Sequence, residues 1–419
     1  MNDDIKRRSY IWNTISGMIN AGQSAVILIL ISHAYSMTEA GMFSIGYAIA
    51  LLGMTLAKYG QRNFQVTDIA GNYSFAEYRY SRWITVILTM LFMTLYLLIQ
   101  CGMGKYDIEK MLIVFSLCLW KQIDAIEDVF YGMYQQKGRL DIGAKRYSER
   151  LIFSTVLFCV LISLKIRFLM VVLLETILSI VMAAFLIQKD KESLLLEVDN
   201  KCRLIHVGRL MVICLALCIS STLAVYIGNL PKYFIDVLLE DSIQARFGYL
   251  IMPAFVIMVL STVIFQPVIR DMGEAVKERD YKKLSGYVFR QIIYIALITS
   301  IVLLGGAFLG IPVLNLLYHV DLSTYWREFM ILLLGGGFYA VSQFLIVPIV
   351  SMRRQNDIAV IYVLVTGISI AAGVYYVSRY ELLGASLLYL MINVVLSVIL
   401  MADYLIRIKM ICKDSSEAE

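Results

Sequence analysis

Proline is nearly missing from this chain, with 5 in 419 residues and none before Pro231. The whole first half is therefore free of the residue that most strongly interrupts helices. Histidine is scarcer still: His33, His206 and His319 are scattered, so no metallohydrolase or histidine-based nucleophile arrangement can be argued. The seven cysteines (Cys101, Cys118, Cys159, Cys202, Cys214, Cys218 and Cys412) are odd in number, lack a paired CxxC spacing and lie mostly in apolar runs. Neither a disulfide framework nor a metal site is indicated, and no cofactor is expected. No Walker or GxSxG pattern occurs, which excludes direct ATP hydrolysis by this chain.

Charge is also sparse, at 16% of residues, whereas hydrophobic residues make up 60% and the mean hydropathy is +0.74. An ordinary globular protein carries about 45 to 50% hydrophobic residues, and no soluble fold hides so much more. Scanning for runs of about 20 apolar residues finds twelve, and the resulting expectation is an all-α polytopic membrane protein. The runs cover residues 10–33, 40–58, 84–102, 111–135, 148–165, 168–188, 209–230, 247–269, 290–311, 328–350, 358–378 and 382–404. The first follows Lys6, Arg7 and Arg8 but has no small-residue cleavage pattern after it, so it reads as a retained signal anchor.

With the N-terminus in the cytoplasm, the tails, loops and span ends on that side hold 28 of the 37 Lys and Arg. That bias predicts an even number of spans and cytoplasmic placement of both termini in a bacterial plasma membrane. The net charge of +5 is then a topology signal, and a nucleic-acid partner is not expected. The long polar stretches, 59–83, 136–147, 189–208 and 270–289, all fall on the inner side. The longest outer connection is expected to run from Pro231 to Arg246. Stretch 189–208 mixes leucines with charges, as an amphipathic interfacial connector would.

That connector divides the chain into expected bundles 1–188 and 209–406, with a tail at 407–419. The bundles show signs of duplication. Residues 136–142 (QKGRLDI) follow span four and residues 352–358 (MRRQNDI) follow span ten, with basic residues and an Asp-Ile pair in register. Arg62 and Arg270 likewise end spans two and eight. Six spans separate each pair, so the repeats are parallel, and two pseudo-symmetric six-helix bundles around a central cleft are expected.

Polar stripes should line that cleft. Asn13, Ser16, Asn20, Gln23 and Ser24 fall on one face of span one at helical spacing. Span four carries Lys121, Asp124, Glu127 and Asp128 inside an apolar stretch. A charge at bilayer depth costs at least about 2.5 to 3.5 kcal/mol, so these four must face protein or water. The cluster fits two roles, a coupling or gating site and a structural ion-pair brace. Taken alone it holds one cation against three carboxyls, which calls for a further cation or a protonated acid.

The succession of twelve spans carries further motifs: RNFQVTD (62–68) and YSFAEY (73–78) after span two, and EDVFYGMYQQKGRLD (127–141) across the end of span four. In these the chain resembles the polysaccharide-export branch of the multidrug/oligosaccharidyl-lipid/polysaccharide flippase superfamily. The resemblance implies a flippase that moves an undecaprenyl-pyrophosphate-linked oligosaccharide to the outer leaflet by alternating access, alongside polymerase and assembly proteins. A pyrophosphate at the inner leaflet needs cations, and Arg62, Arg209, Arg270 and Arg290 sit at inner span ends. Each is also accounted for by positive-inside bias. Asn13, Asn20 and Gln23 are the candidates for facing the glycan, and the coupling ion, H+ or Na+, stays open.

Two rivals are a multidrug exporter of the same superfamily and a polysaccharide polymerase or ligase. The drug-exporting branch would predict an acidic residue in span one, and none occurs between Ile5 and Thr38. Short outer loops and the repeat count against the enzyme. Proline and the glycine runs 305–306 and 335–337 lie in the second half, where they suit either helix bending or tight helix packing.

Overall fold

In a bilayer every backbone N–H and C=O must be satisfied within the segment, which makes a helix of each long apolar run. The computed structural model describes residues 3–68, 71–193, 202–266, 268–352 and 355–417, and all regular structure among them is helical. Among the described residues nine stretches are long and apolar enough to cross a membrane. Helices α5 (Ile108–Gln136) and α6 (Leu140–Ser163) are equally long and carry the charges discussed below. With these two included, and with α14 (Gln355–Glu417) taken as the two arms that meet at non-helical Glu381, the membrane-length segments number twelve. The chain is a multi-pass membrane protein.

By contacts the chain forms two compact units, Met1–Val225 and Tyr226–Glu419. The first contains α1 (Asp3–Ala34), α2 (Met37–Lys58), a short α3 (Gln61–Thr67), α4 (Phe75–Gly102), α5, α6 and α7 (Phe168–Ser193). It also takes the first half of α8 (Leu204–Leu238), because Leu210 and Cys214 pack against Tyr78 and Val129. Helix α5 is the hub, touching α2, α3, α4, α6 and α7, and is buried along most of its length. Burial on every side explains how a helix with four ionisable residues sits among apolar spans. Tyr59 and Gly60 are both left-handed (φ 55 and 63) and turn α2 sharply into α3, which lies along α5. A Cβ at Gly60 would press on Leu217, so the turn requires glycine.

The second unit contains α9 (Asp241–Phe265), α10 (Val268–Lys277), α11 (Tyr281–Gly305), a π-helical turn at Gly306–Gly310, α12 (Ile311–Tyr318), α13 (Trp326–Ser351) and α14. Here α13 is central, packed on α9, α11 and α14. The glycine run 335–337 serves close packing: a Cβ on Gly336 would lie 2.9 Å from the Ala254 carbonyl oxygen, and one on Gly310 would strike the Phe329 ring. Bending is present as well, in the π turn that precedes Pro312 and in the break at Glu381.

One expectation needs correction. Helix α8 continues through Pro231 to Leu238 and α9 starts at Asp241, so this connection is two residues long rather than the expected stretch from Pro231 to Arg246. Lys232 and Asp236 lower the hydropathy there without ending the helix. Residues 194–201 of the expected connector and 353–354 of the second repeat motif lie outside the described residues, as do Pro267 and the side chain of Arg270.

Candidate functional site

On α5, residues 120, 121, 124, 127, 128 and 131 recur at three- and four-residue spacing and so face α6, α4 and α1. The Asp124 carboxylate accepts a short charge-assisted bond from Arg150 of α6 and a second from Lys121 at 3.4 Å. Arg150 also donates through Nε to Glu127 at 2.6 Å, and the Tyr131 hydroxyl donates to the same oxygen at 2.8 Å. Lys121 completes its shell with Gln23 Oε1 of α1 at 3.0 Å and with the rings of Trp120 and Tyr47, 4.4 and 5.0 Å away. All of these charged groups are buried, and two cations meet two carboxylates. Such a network tolerates low dielectric because no charge is left alone.

A second cluster sits one turn closer to the basic end of α5. Arg82 of α4, itself buried, donates through Nη1 to the Ala57 carbonyl at 2.6 Å and through Nη2 to Asp128 at 3.0 Å. Arg62 of α3 reaches the other Asp128 oxygen at 3.5 Å and Gln135 at 3.0 Å. Its side chain is 31% exposed. Two guanidinium groups therefore share one carboxylate, and the surplus positive charge is on the exposed one.

A third group was not among the sequence candidates. Glu175 of α7 is buried, and its Oε1 accepts from Ser154 at 2.5 Å and Ser179 at 2.7 Å while Oε2 has no partner among the described residues. Trp120 Nε1 donates to Ser154 at 3.1 Å, which ties this carboxyl to the α5 face. A lone acid inside an apolar span was a signal available in the sequence.

The structure thus brings Lys121, Asp124, Glu127 and Asp128 together with Gln23 and Arg62. The surplus carboxyls expected from α5 alone are matched by Arg150 and Arg82, which by position in the sequence count only as inner-end basic residues. The polar stripe 78, 81, 82 and 85 on α4 was the sequence signal for Arg82. Asn20 is exposed and accepts from the Tyr147 hydroxyl at 3.2 Å; Asn13 is exposed, and its backbone carbonyl accepts from Ser16 at 3.0 Å. Arg209 and Arg290 are exposed, the latter 5.3 Å from the Tyr287 ring. Among the described residues no three His, Cys, Asp or Glu side chains gather as a metal site.

No family model and no curated protein matches the chain. Solved structures do. An inward-facing multidrug resistance MATE transporter of the MOP superfamily aligns over 97% of this chain and 99% of its own, with TM-score 0.70 and 14% identity. The lipid II flippase MurJ in an inward closed conformation aligns over 94% and 87%, with TM-score 0.70 and 12% identity. A MOP superfamily transporter from Pyrococcus furiosus, described as having a binding pocket of reversed polarity that suggests a different function, aligns over 97% and 96% with TM-score 0.62 and 16% identity. At such identities the likeness is one of fold, and that fold is the one shared by the MATE transporters of the MOP superfamily and the flippase MurJ.

Proposed function

We propose that the chain is a flippase for an undecaprenyl-pyrophosphate-linked oligosaccharide, acting by alternating access in surface polysaccharide assembly, with both termini cytoplasmic. The observation that carries this reading is Arg62. Its half-exposed guanidinium stands beside a carboxylate that buried Arg82 already neutralises, so it offers a net positive, hydrogen-bonding site at the basic end of the first unit. A pyrophosphate suits that geometry, because guanidinium groups bind phosphate oxygens in pairs. Arg209, Arg290 and Arg270 are further phosphate contacts in this reading, and Asn13 and Asn20 face the glycan, whereas Gln23, expected to do so, is buried and held by Lys121 and Thr155. Pairing with guanidinium groups makes the α5 charges a brace that holds Arg62 in place. The polymerase that extends the glycan is the expected partner.

Ion-coupled multidrug export is the second reading, favoured by the MATE fold likeness and by Glu175, a buried carboxyl with no cation partner among the described residues. A cationic drug needs a carboxylate that is free to meet it, and Asp124, Glu127 and Asp128 are each engaged by guanidinium.

The two separate in one strain lacking its own flippase. Arg62→Ala at normal membrane expression is expected to cut restored surface polysaccharide severely while drug susceptibility stays unchanged. Full restoration of polysaccharide by this variant would sink the flippase reading. Drug resistance that depends on Glu175 would favour the second.

A further inference from the structure

Arg62 is held by more than its carboxylate. Helix α3, which carries it, is only seven residues long, and glutamine side chains fasten it on two sides. Gln61 donates to the Tyr78 carbonyl at 2.9 Å and to Ser81, both on α4. Gln65 donates to the Val129 carbonyl of α5 at 3.2 Å. A third glutamine comes from α5 itself: Gln135 Oε1 accepts from Arg62 Nε at 3.3 Å and from Nη2 at 3.0 Å. A guanidinium has only donors to offer, so it is the oxygen of the Gln135 amide that must face it. Gly132, just before on α5, leaves room for this docking: a Cβ there would strike the Gln65 side-chain oxygen and come within 3.5 Å of Arg62 Cγ.

All three fastenings are neutral, and at Arg62 the neutrality has a consequence. Among the described residues Arg62 and Arg82 share the single carboxylate of Asp128, which leaves the cluster one positive charge in excess. A carboxylate in place of the Gln135 amide would accept from the same two N–H groups in the forked geometry that guanidinium favours, and would cancel that excess. The amide gives the orientation without the cancellation. It fixes Nε and Nη2 and leaves the group, with its side chain 31% exposed, cationic toward an incoming anion.

We propose that Gln135 is a positioning residue for the pyrophosphate of the lipid-linked substrate, orienting Arg62 through a neutral amide so that the guanidinium charge stays available to the phosphate. The inference rests on the flippase reading of Arg62 and adds to it the residue that sets how strongly Arg62 attracts an anion.

Binding of undecaprenyl pyrophosphate to the detergent-purified full chain, followed by microscale thermophoresis with undecaprenol as the phosphate-free comparison, tests this, with thermal unfolding of each variant read alongside. Gln135→Glu is expected to unfold at the wild-type temperature or above, because it adds an ion pair, and yet to bind undecaprenyl pyrophosphate about tenfold more weakly, with undecaprenol unchanged. A purely structural role would move stability and binding together. Gln135→Leu loses the orientation and keeps the charge, so it is expected to weaken binding only about two- to tenfold, the scale of a neutral hydrogen bond. Lys137→Gln, on the exposed residue two positions on, makes the same change of net charge and is expected to bind as the wild type does. A Gln135→Glu protein that binds undecaprenyl pyrophosphate normally overturns the proposal. Equal loss in Lys137→Gln also overturns it, since the effect would then be one of general surface charge. If the glutamate protein does not fold, Gln135→Leu decides, and wild-type affinity in that variant overturns the proposal. Arg62→Ala separates this inference from the reading beneath it. Normal binding by Arg62→Ala defeats the phosphate role of Arg62 itself, whereas loss in Arg62→Ala beside normal binding in Gln135→Glu defeats the role of Gln135 alone.

Discussion

Removing Arg150 exposes most directly what the α5 charges do. Arg150→Met keeps the length and apolar stem of the side chain and deletes its guanidinium, leaving Asp124 bonded to Lys121 and Glu127 with no cation bonded to it among the described residues. Asp124 keeps its 3.4 Å bond to Lys121, while Glu127 keeps only the Tyr131 hydroxyl at 2.8 Å. At an effective dielectric of about 20, one ion pair at contact distance is worth about 4 kcal/mol. Breaking a buried pair by deleting one partner costs about 3 to 5 kcal/mol, because a buried charge is left uncompensated. Arg150→Met is therefore expected to lose stability on that scale. Adding Glu127→Gln removes the stranded charge and keeps an oxygen for Tyr131, and the double variant should recover more than half of the loss. The measurement is thermal unfolding of the detergent-purified protein for both single variants and the double variant. An Arg150→Met protein as stable as wild type would refute the brace. Losses that simply add in the double variant would refute the pairing of Arg150 with Glu127.

Arg82→Lys should also destabilise, by about 1 to 3 kcal/mol, because one ammonium cannot reach the Ala57 carbonyl and Asp128 in the forked geometry that guanidinium allows; the same unfolding assay checks it. In the second unit, Gly336→Val should cost several kcal/mol or abolish expression, since even a Cβ meets the Ala254 backbone, whereas Gly305→Ala meets nothing within 4 Å and should be tolerated. Matched expression of these two glycine variants would contradict the close packing of α9 on α13.

What could be read in advance follows from how local the cause is. The twelve apolar segments depend on stretches of about 20 residues, and hydropathy registers them directly. The face shared by Lys121, Asp124 and Asp128 follows from helical spacing alone. The C-terminal end of α8 was misplaced because Lys232 and Asp236 resemble a loop by polarity, while the helix continues through Pro231. Arg82 and Arg150 were hidden for a related reason. Near a span end, an arginine that snorkels to water and one that turns inward to a carboxylate have the same place in the sequence.

The sequence by itself determined that this is a many-span helical membrane protein with ionisable groups that lipid could not accommodate. Composition and periodicity decide that much, because the bilayer penalises each exposed polar group one residue at a time. Only the tertiary structure decided what those groups are. Whether a buried carboxylate is a free acid or half of an ion pair depends on which cation another helix brings within about 4 Å. Here α6 brings Arg150 to Asp124 and Glu127, and α4 brings Arg82 to Asp128. Glu175 meets two serines and Arg62 keeps its charge partly in the open, so neither has a full ionic partner among the described residues.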